Sequence, residues 1–544
     1  MHRSKITVFP AGAWTERKLL LQALTELYPV DFIVGQDPDP AQSDAALLFG
    51  VSRAQALRAA QSGRPCVAFV NEPPATLHTV SGGICFAALP FLHASFRGRS
   101  LPHSPLERVA ALIEQPGDTV VARSGGHILW IQSPAGLSNL QLLAAEPPHI
   151  SEEGNLFQFF KRDDWMRLFP LLHFLRELSG LEPPTLRACF MFDDPNLHWK
   201  SYGYVQYPQL IQHANRHNYH VSFATVPLDT WYTHKGTAAL FRENQNRLSL
   251  LFHGNNHTHR ELSHPLSDQA RQALVAQALH RIARLEHVSG LKVPRVIAAP
   301  HGACSAAMAD VLLRMGFEAA CISRGSIMAH NKDKAWPRSV GLHLAEFLGT
   351  GLPVIPRFGL APGCQTEILL ASFLGQSLIQ IGHHEDIADG LDLLQSIAEL
   401  INSLGDVQWT ELGSIARSRF SSQRQGSLLH VKMYSRLVRF IVPADINEVC
   451  IGRAWLKAQD TEGLGWRDGQ LPPQKLLRYN GEHIQTRPGA QLEISSILSN
   501  AVDPAKVLFT RPPLWAIGRR HLCEARDRAR PAVDRLRRFA RGKN

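Results

Sequence analysis

No two of the eight cysteines form a C-x-x-C pair: Cys66, Cys85, Cys189, Cys304, Cys321, Cys364, Cys450 and Cys523 are scattered. That excludes a zinc ribbon and a redox dithiol. Most sit in apolar stretches such as "RPCVAFV", "RACFMF" and "AACIS", and read as buried free thiols of a reducing compartment. No apolar run approaches the roughly 18 residues that a membrane span requires. The apolar stretch of "MHRSKITVFP" is too short for a secretory signal and reads as a first strand, so the expected location is the cytoplasm. There is no internal repeat, no low-complexity tract, no phosphate loop, and no nucleophile elbow around Cys66 or Cys85. Charged residues make up only 19% of the chain against 44% apolar, which describes a globular protein. At 544 residues it is long enough for three or four domains.

The net charge of +10 is unevenly placed. Residues 519–544 hold ten Lys/Arg against three Asp/Glu, so one terminal segment carries most of the basic character.

Along residues 1–150, short apolar runs ("KITVFP", "VDFIVG", "AALLFG", "PCVAFV") alternate with helical patterns ("ERKLLLQALTEL", "RAQALRAAQSG"). Such alternation predicts a doubly wound α/β domain, Rossmann-like, followed by a hairpin with a Gly-Gly turn in "GDTVVARSGGHILWIQ". Residues 151–183 read as a helical connector ending at the proline break "LEPPTL". From 184 to 425 the alternation resumes. The strand candidates are "LRACFMFDD", "HVSFATVP", "RLSLLFHG", "RVIAAPHG", "AACIS", "SLIQIGHH" and "VQWTEL", which predict a (β/α) barrel of about seven units. Residues 440–518 alternate apolar and polar positions around Asn-Gly and Pro-Gly turns, as a small β domain does. The basic tail, 519–544, reads as helix interrupted at Pro531.

The most conspicuous stretch is "LLFHGNNHTH", where His253 and His257 make an H-x-x-x-H. Spacing alone decides nothing, because about one such match is expected by chance among 26 histidines. His213 and His217 are a second match, but they fall inside a helical stretch and read as a solvated face. Position separates the two. In a barrel, functional residues gather at the C-terminal ends of strands. His253 directly follows a predicted strand, and Gly254, Asn255 and Asn256 make what comes next a loop. The same rule selects Asp193 and Asp194 in "FMFDDPN", which packing explains poorly because carboxylates are rarely buried unpaired. An Asx turn before Pro195 accounts for one of the two. One Asp and two His converging at strand ends would leave a fourth position open, the pattern of a catalytic zinc site. Strand ends also carry Pro300, His301 and Gly302 in "AAPHG", and His383 and His384 in "IQIGHH". A histidine there suits general acid chemistry near neutral pH.

The order of these motifs resembles the polysaccharide deacetylase superfamily (NodB homology, carbohydrate esterase family 4) over residues 184–425. The resemblance implies a distorted (β/α)7 barrel. It implies that Asp193 is the base, that Asp194, His253 and His257 are metal ligands, most often for Zn2+, and that His383 or His384 is the acid. Pro300, His301 and Gly302 would contact substrate. Three departures stand out. The usual "FDDG" is "FDDP"; the strand end "AAPHG" lacks the arginine that pairs with the base in this family; and the Asp-x-x-Asp-Trp motif is absent. Arg324 in "CISRGS" and Arg357 in "VIPRFG" are the two candidates to replace that arginine.

The function expected from this pattern is metal-dependent removal of an acyl group from an N-acylated sugar or glycan precursor. The alternative is a catalytically weak barrel that binds glycan in polysaccharide biosynthesis. Glycoside hydrolysis would need a second well-placed carboxylate, for which Glu385 and Asp386 are the candidates. The expected partner is a carbohydrate. Nucleic acid is not expected, because few aromatics interleave with the charges of the tail. The tail reads either as a solvated terminal helix or as a peripheral contact with anionic lipid.

Overall fold

The computed structural model describes residues 1–37, 43–71, 77–135, 138–161, 163–456, 462–469, 474–478, 481–509, 511–512 and 514–541. Residues 542–544 of the basic tail and Asn480 of the Asn-Gly turn lie outside the described residues. The chain forms two compact units. The first comprises residues 1–182 with 336–343 and 423–425, and the second holds the rest.

The first unit is built on a nine-stranded sheet. Ser4–Phe9 pairs in parallel with Val30–Val34 and Ala45–Val51, and Ala45–Val51 in turn with Cys66–Val70. Short apolar runs of this kind suit strands covered on both faces. Ser138–Leu143 adds in parallel to Cys66–Val70 and then turns antiparallel into His127–Ala135 and Thr119–Ser124, so half of this sheet is a meander rather than a doubly wound layer. Gly125 and Gly126 make the hairpin turn, with Gly125 at φ +56°. Residues 157–179 form two short helices and a 3-10 turn, and Phe169–Ser179 is buried on nearly every face.

The second unit contains a closed barrel of seven parallel strands: β1 (Leu186–Asp193), β2 (Val221–Thr225), β3 (Leu248–His253), β4 (Val296–Ala298), β5 (Ala319–Ser323), β6 (Leu352–Gly359) and β7 (Leu378–Gly382). Neighbours pair in sequence, and β7 closes onto β1. Cys189, Met191, Ala224, Leu251, Ala298 and Cys321 belong to its buried apolar core. Two elements differ from expectation. "VQWTEL" does supply a strand, Val407–Trp409, but it pairs alongside β1 and is not needed to close the barrel. The sixth barrel strand is β6, in "LPVIPRFG", where Pro353 and Pro356 hide the strand pattern.

Two four-stranded sheets between Phe420 and Ile497 then pack around Leu429, Val431, Val438, Ile451, Leu492 and Ile494. The chain ends in a helix, Leu514–Arg541, that runs through Pro531 without interruption. It is not a free tail: Ala516, Arg520, Glu524 and Asp527 are buried along one side.

Candidate metal centre and active site

The apolar interior of β1 ends in two carboxylates that the barrel separates. Asp193 is the last residue of the strand, buried to 4% exposure. Its two oxygens each accept from Nη1 of Arg357 at 3.2 Å. Arg357 comes from β6 and is itself buried, so the pair is desolvated on both sides. Of the two arginines proposed to stand beside the base, the barrel brings Arg357. Arg324 instead turns away to Glu367 and Gln376.

Asp194 takes the next position with φ +83°, a conformation that L residues seldom adopt. The turn swings its carboxylate toward the loop after β3. There Asp194 Oδ1 lies 3.4 Å from Nε2 of His257. His253, at the end of β3, completes the group: Asp194, His253 and His257 each offer one ligand atom, and these lie within 4.8 Å of one another. His253 Nδ1 sits 3.1 Å from the carbonyl of Ala298. A proton on Nδ1 makes that bond and leaves Nε2 as the lone-pair donor, the arrangement that orients a metal-binding imidazole. Two ligands held at ~2.0–2.1 Å in a tetrahedron stand about 3.4 Å apart, so the Asp194–His257 spacing suits a divalent cation.

The loop that presents His257 is organised from behind by Glu261. This buried carboxylate accepts the backbone N–H groups of Asn255 at 2.6 Å, Asn256 at 3.0 Å and His257 at 3.1 Å. Burial raises its pKa against those three bonds. Arg281 fixes the two asparagines, donating to Oδ1 of Asn255 at 2.6 Å and of Asn256 at 2.8 Å. Gly254 is required here. It has φ +60°, and a Cβ on it would stand 2.0 Å from Oε1 of Glu261. His257 at φ +55° and His301 at φ +57° are also left-handed, so the strained backbone of this unit gathers where the ligands converge.

Burial and neighbouring charge act in opposite directions on Asp194 and His257. Burial works to raise the pKa of Asp194, but the Arg520 guanidinium beside it holds it well below the usual carboxylate range. Burial pushes His257 down to about 3, against the pull of Asp194, so its imidazole is neutral.

Arg520 was not anticipated. It projects from the C-terminal helix, is 4% exposed, and donates from Nη1 to Oδ1 of Asp194 at 3.0 Å. Its Nη2 reaches the Asp194 carbonyl at 3.1 Å, and its Nε reaches Oδ2 of Asp229 at 2.8 Å. Asp229 is buried and was likewise not singled out. Arg519 donates to the carbonyl of His257. Further along the helix, Glu524 bonds His198, Asp527 bonds the hydroxyl of Tyr202, and Arg530 bonds Glu385. The helix therefore lies on the strand-end rim, and one cation of that helix shares the candidate ligand Asp194. Nothing in the local sequence marks this, since 326 residues separate Arg520 from Asp194.

The remaining expected residues fall as follows. His301 is exposed, its ring tilted against those of His257 and His259 with centroids 5.4 and 5.0 Å apart, while Pro300 and Gly302 are buried. His383 is exposed, directly after β7. His384 is buried against Tyr202 and Tyr204, with Asp527 at 3.8 Å, and belongs to a second cluster of potential ligands with Glu385 and Asp527. Glu385 pairs with Arg530, and Asp386 accepts the N–H of His383, so both are engaged in local structure. His213 and His217 lie on the helix Tyr207–His217, where His217 faces Glu399.

No family model matches the sequence, and no curated protein shows significant similarity to it. Among solved structures, a putative polysaccharide deacetylase from Mycobacterium smegmatis matches 43% of this chain and 90% of its own, at 14% identity and TM-score 0.32. A carbohydrate esterase of family 4 from Streptococcus mutans matches 41% of this chain and 86% of its own, at 15% identity and TM-score 0.23. An exo-β-1,4-mannosidase from Opitutaceae bacterium strain TAV5 also matches, over 32% of this chain and 36% of its own, at 12% identity and TM-score 0.21. At such scores the chemistry of the site rests on the chain's own residues.

Proposed function

We propose that the barrel is a metal-dependent hydrolase that removes the acyl group from an N-acylated sugar or glycan precursor. The observation that carries this reading is the pairing of two adjacent carboxylates with different partners. Asp193 is clamped by Arg357, while Asp194 is turned onto His253 and His257. Asp194, His253 and His257 would hold the ion, with zinc the ion best suited to an Asp-His-His set. Once bound, a divalent cation lowers the pKa of a water and polarises an acyl carbonyl. Asp193, its Oδ2 4.0 Å from Nε2 of His253, would accept the proton of the attacking water. Arg357 holds that carboxylate by two equal contacts, which fixes its direction. His383, which is exposed, would protonate the leaving amine, since His384 is walled in by Tyr202 and Tyr204. His301, exposed beside His257, would contact the sugar.

The reading is tested by the release of acetate from N-acetylated oligosaccharides by the zinc-supplemented protein. The parent should release it and an Asp193→Asn variant should not. Equal rates in the two would overturn it.

One observation favours a second reading, a barrel that binds glycan without turnover. Arg520 already supplies Asp194 with a cation, so the carboxylate is neutralised without any metal. That reading expects no zinc-dependent acetate release from the parent but retained binding of the oligosaccharide.

A further inference from the structure

Surface helices normally turn apolar residues inward and charge outward. The C-terminal helix departs from this in its acids, which face inward, and in an apolar stripe that faces outward. All three of its acidic residues, Glu524, Asp527 and Asp534, lie on the side that meets the barrel, with Arg520 between the barrel loops. The outward side is apolar. Leu514, Trp515, Leu522, Val533 and Leu536 are exposed to 85, 60, 74, 41 and 70%. At ~100° per residue they fall on one continuous stripe, and only glycine and alanine occupy the exposed positions between them. Arg519, Arg526, Arg530 and Arg537 follow one another along a single flank of that stripe.

We propose that this outward face is a membrane-contacting surface that lies flat on an anionic bilayer. The stripe has no acid on it and is bordered by arginines, of which Arg526 and Arg537 keep 66 and 73% of their side chains exposed. An acid-free apolar stripe beside a row of guanidinium groups is complementary to acyl chains beneath anionic headgroups. Trp515 sits at the helix N-terminal end, where an amphipathic ring suits the interface. A second copy fits less well, because an antiparallel pair would set the two arginine rows against each other. No helix among the described residues is long and apolar enough to cross a membrane, so the contact is peripheral. Because Arg519 and Arg520 of the same helix touch His257 and Asp194, the bound helix holds the strand-end rim at the bilayer surface. If the hydrolase reading holds, on which this consequence rests, the substrate is an N-acylated glycan carried on a lipid.

The test uses the full chain and sedimentation with vesicles of phosphatidylcholine alone or mixed with phosphatidylglycerol. The parent should partition to the phosphatidylglycerol vesicles, more weakly at high salt, and remain in the supernatant with phosphatidylcholine alone. A Leu522→Glu/Leu536→Glu variant should bind at least about tenfold more weakly and unfold at the parent's temperature, since both side chains face solvent. No partition of the parent to phosphatidylglycerol vesicles would overturn the proposal. So would undiminished binding by the variant, or a dimer in solution that the variant abolishes while vesicle binding is absent. Because the readout is binding alone, it is independent of whether the barrel hydrolyses anything.

Discussion

Arg520 competes with a metal for Asp194, and the size of that competition can be worked from its geometry. The guanidinium nitrogen is 3.0 Å from Oδ1 of Asp194. An ion bound ~2 Å from that oxygen would stand roughly 4–5 Å from the guanidinium. At an effective dielectric of about 20, a divalent and a monovalent cation at that distance repel by roughly 7 kcal/mol. Asp229, salt-bridged to the same guanidinium at 2.8 Å, offsets much of this. Replacing Arg520 with Gln keeps most of the volume and a donor for Asp229 while removing the charge. The variant should bind zinc about 10- to 100-fold more tightly, equivalent to about 1.4–2.7 kcal/mol. It should also be less stable without metal, by about 3 kcal/mol or more, because Asp194 and Asp229 lose their buried counter-charge. Zinc should restore much of the lost unfolding temperature. Competition against a chromophoric chelator reads the affinity, and thermal unfolding with and without zinc reads the linkage. Zinc affinity unchanged or weakened in R520Q would refute this reasoning and make Arg520 a support for the ligand rather than its competitor.

Other outcomes follow from the same geometry. Arg357→Met should lower kcat for acetate release at least about 100-fold with zinc content unchanged, because Asp193 loses its clamp but the ligands do not. Glu261→Ala leaves the N–H groups of Asn255, Asn256 and His257 without their acceptor. It should cost about 2–4 kcal/mol in chemical denaturation and weaken zinc binding. Acid should destabilise both units. Burial lowers His173 in the first unit and His220 in the second to about 4. Their folded pKa values lie below the unfolded value, so the unfolded chain binds more protons and stability falls as pH drops from about 6.5 toward 4. Each contributes a loss on the order of 1–2 kcal/mol by pH 5, and His220→Gln should flatten that dependence in the second unit. A variant with the parent's pH profile would contradict it.

What could be read from the chain depended on how local each feature was. Asp193, Asp194 and His253 end runs of buried apolar residues, so their placement at strand ends follows from β1 and β3 alone. The hairpin at Gly125–Gly126 was equally local. Arg357 was harder, because the prolines of "LPVIPRFG" obscure the strand that delivers it to Asp193. Glu261 is four residues from His257 and looks like an ordinary loop acid until its three N–H partners are seen. Arg520 and Asp229 were out of reach. Their pairing joins a terminal helix to a 3-10 turn 291 residues earlier, and no periodicity encodes that contact. The tail was legible as basic and helical, but not as a helix whose acids face inward and whose leucines face out.

The central claim is that Asp194, His253 and His257 form a metal centre, and metal content tests it most directly. Elemental analysis of purified protein, after equilibration with zinc and removal of excess, should give one tightly held ion per chain. Asp194→Ala and His253→Ala should each abolish that ion, while His213→Ala should keep it. Protein that holds no ion after zinc equilibration, or a His253→Ala variant with the parent's zinc content, would contradict the account.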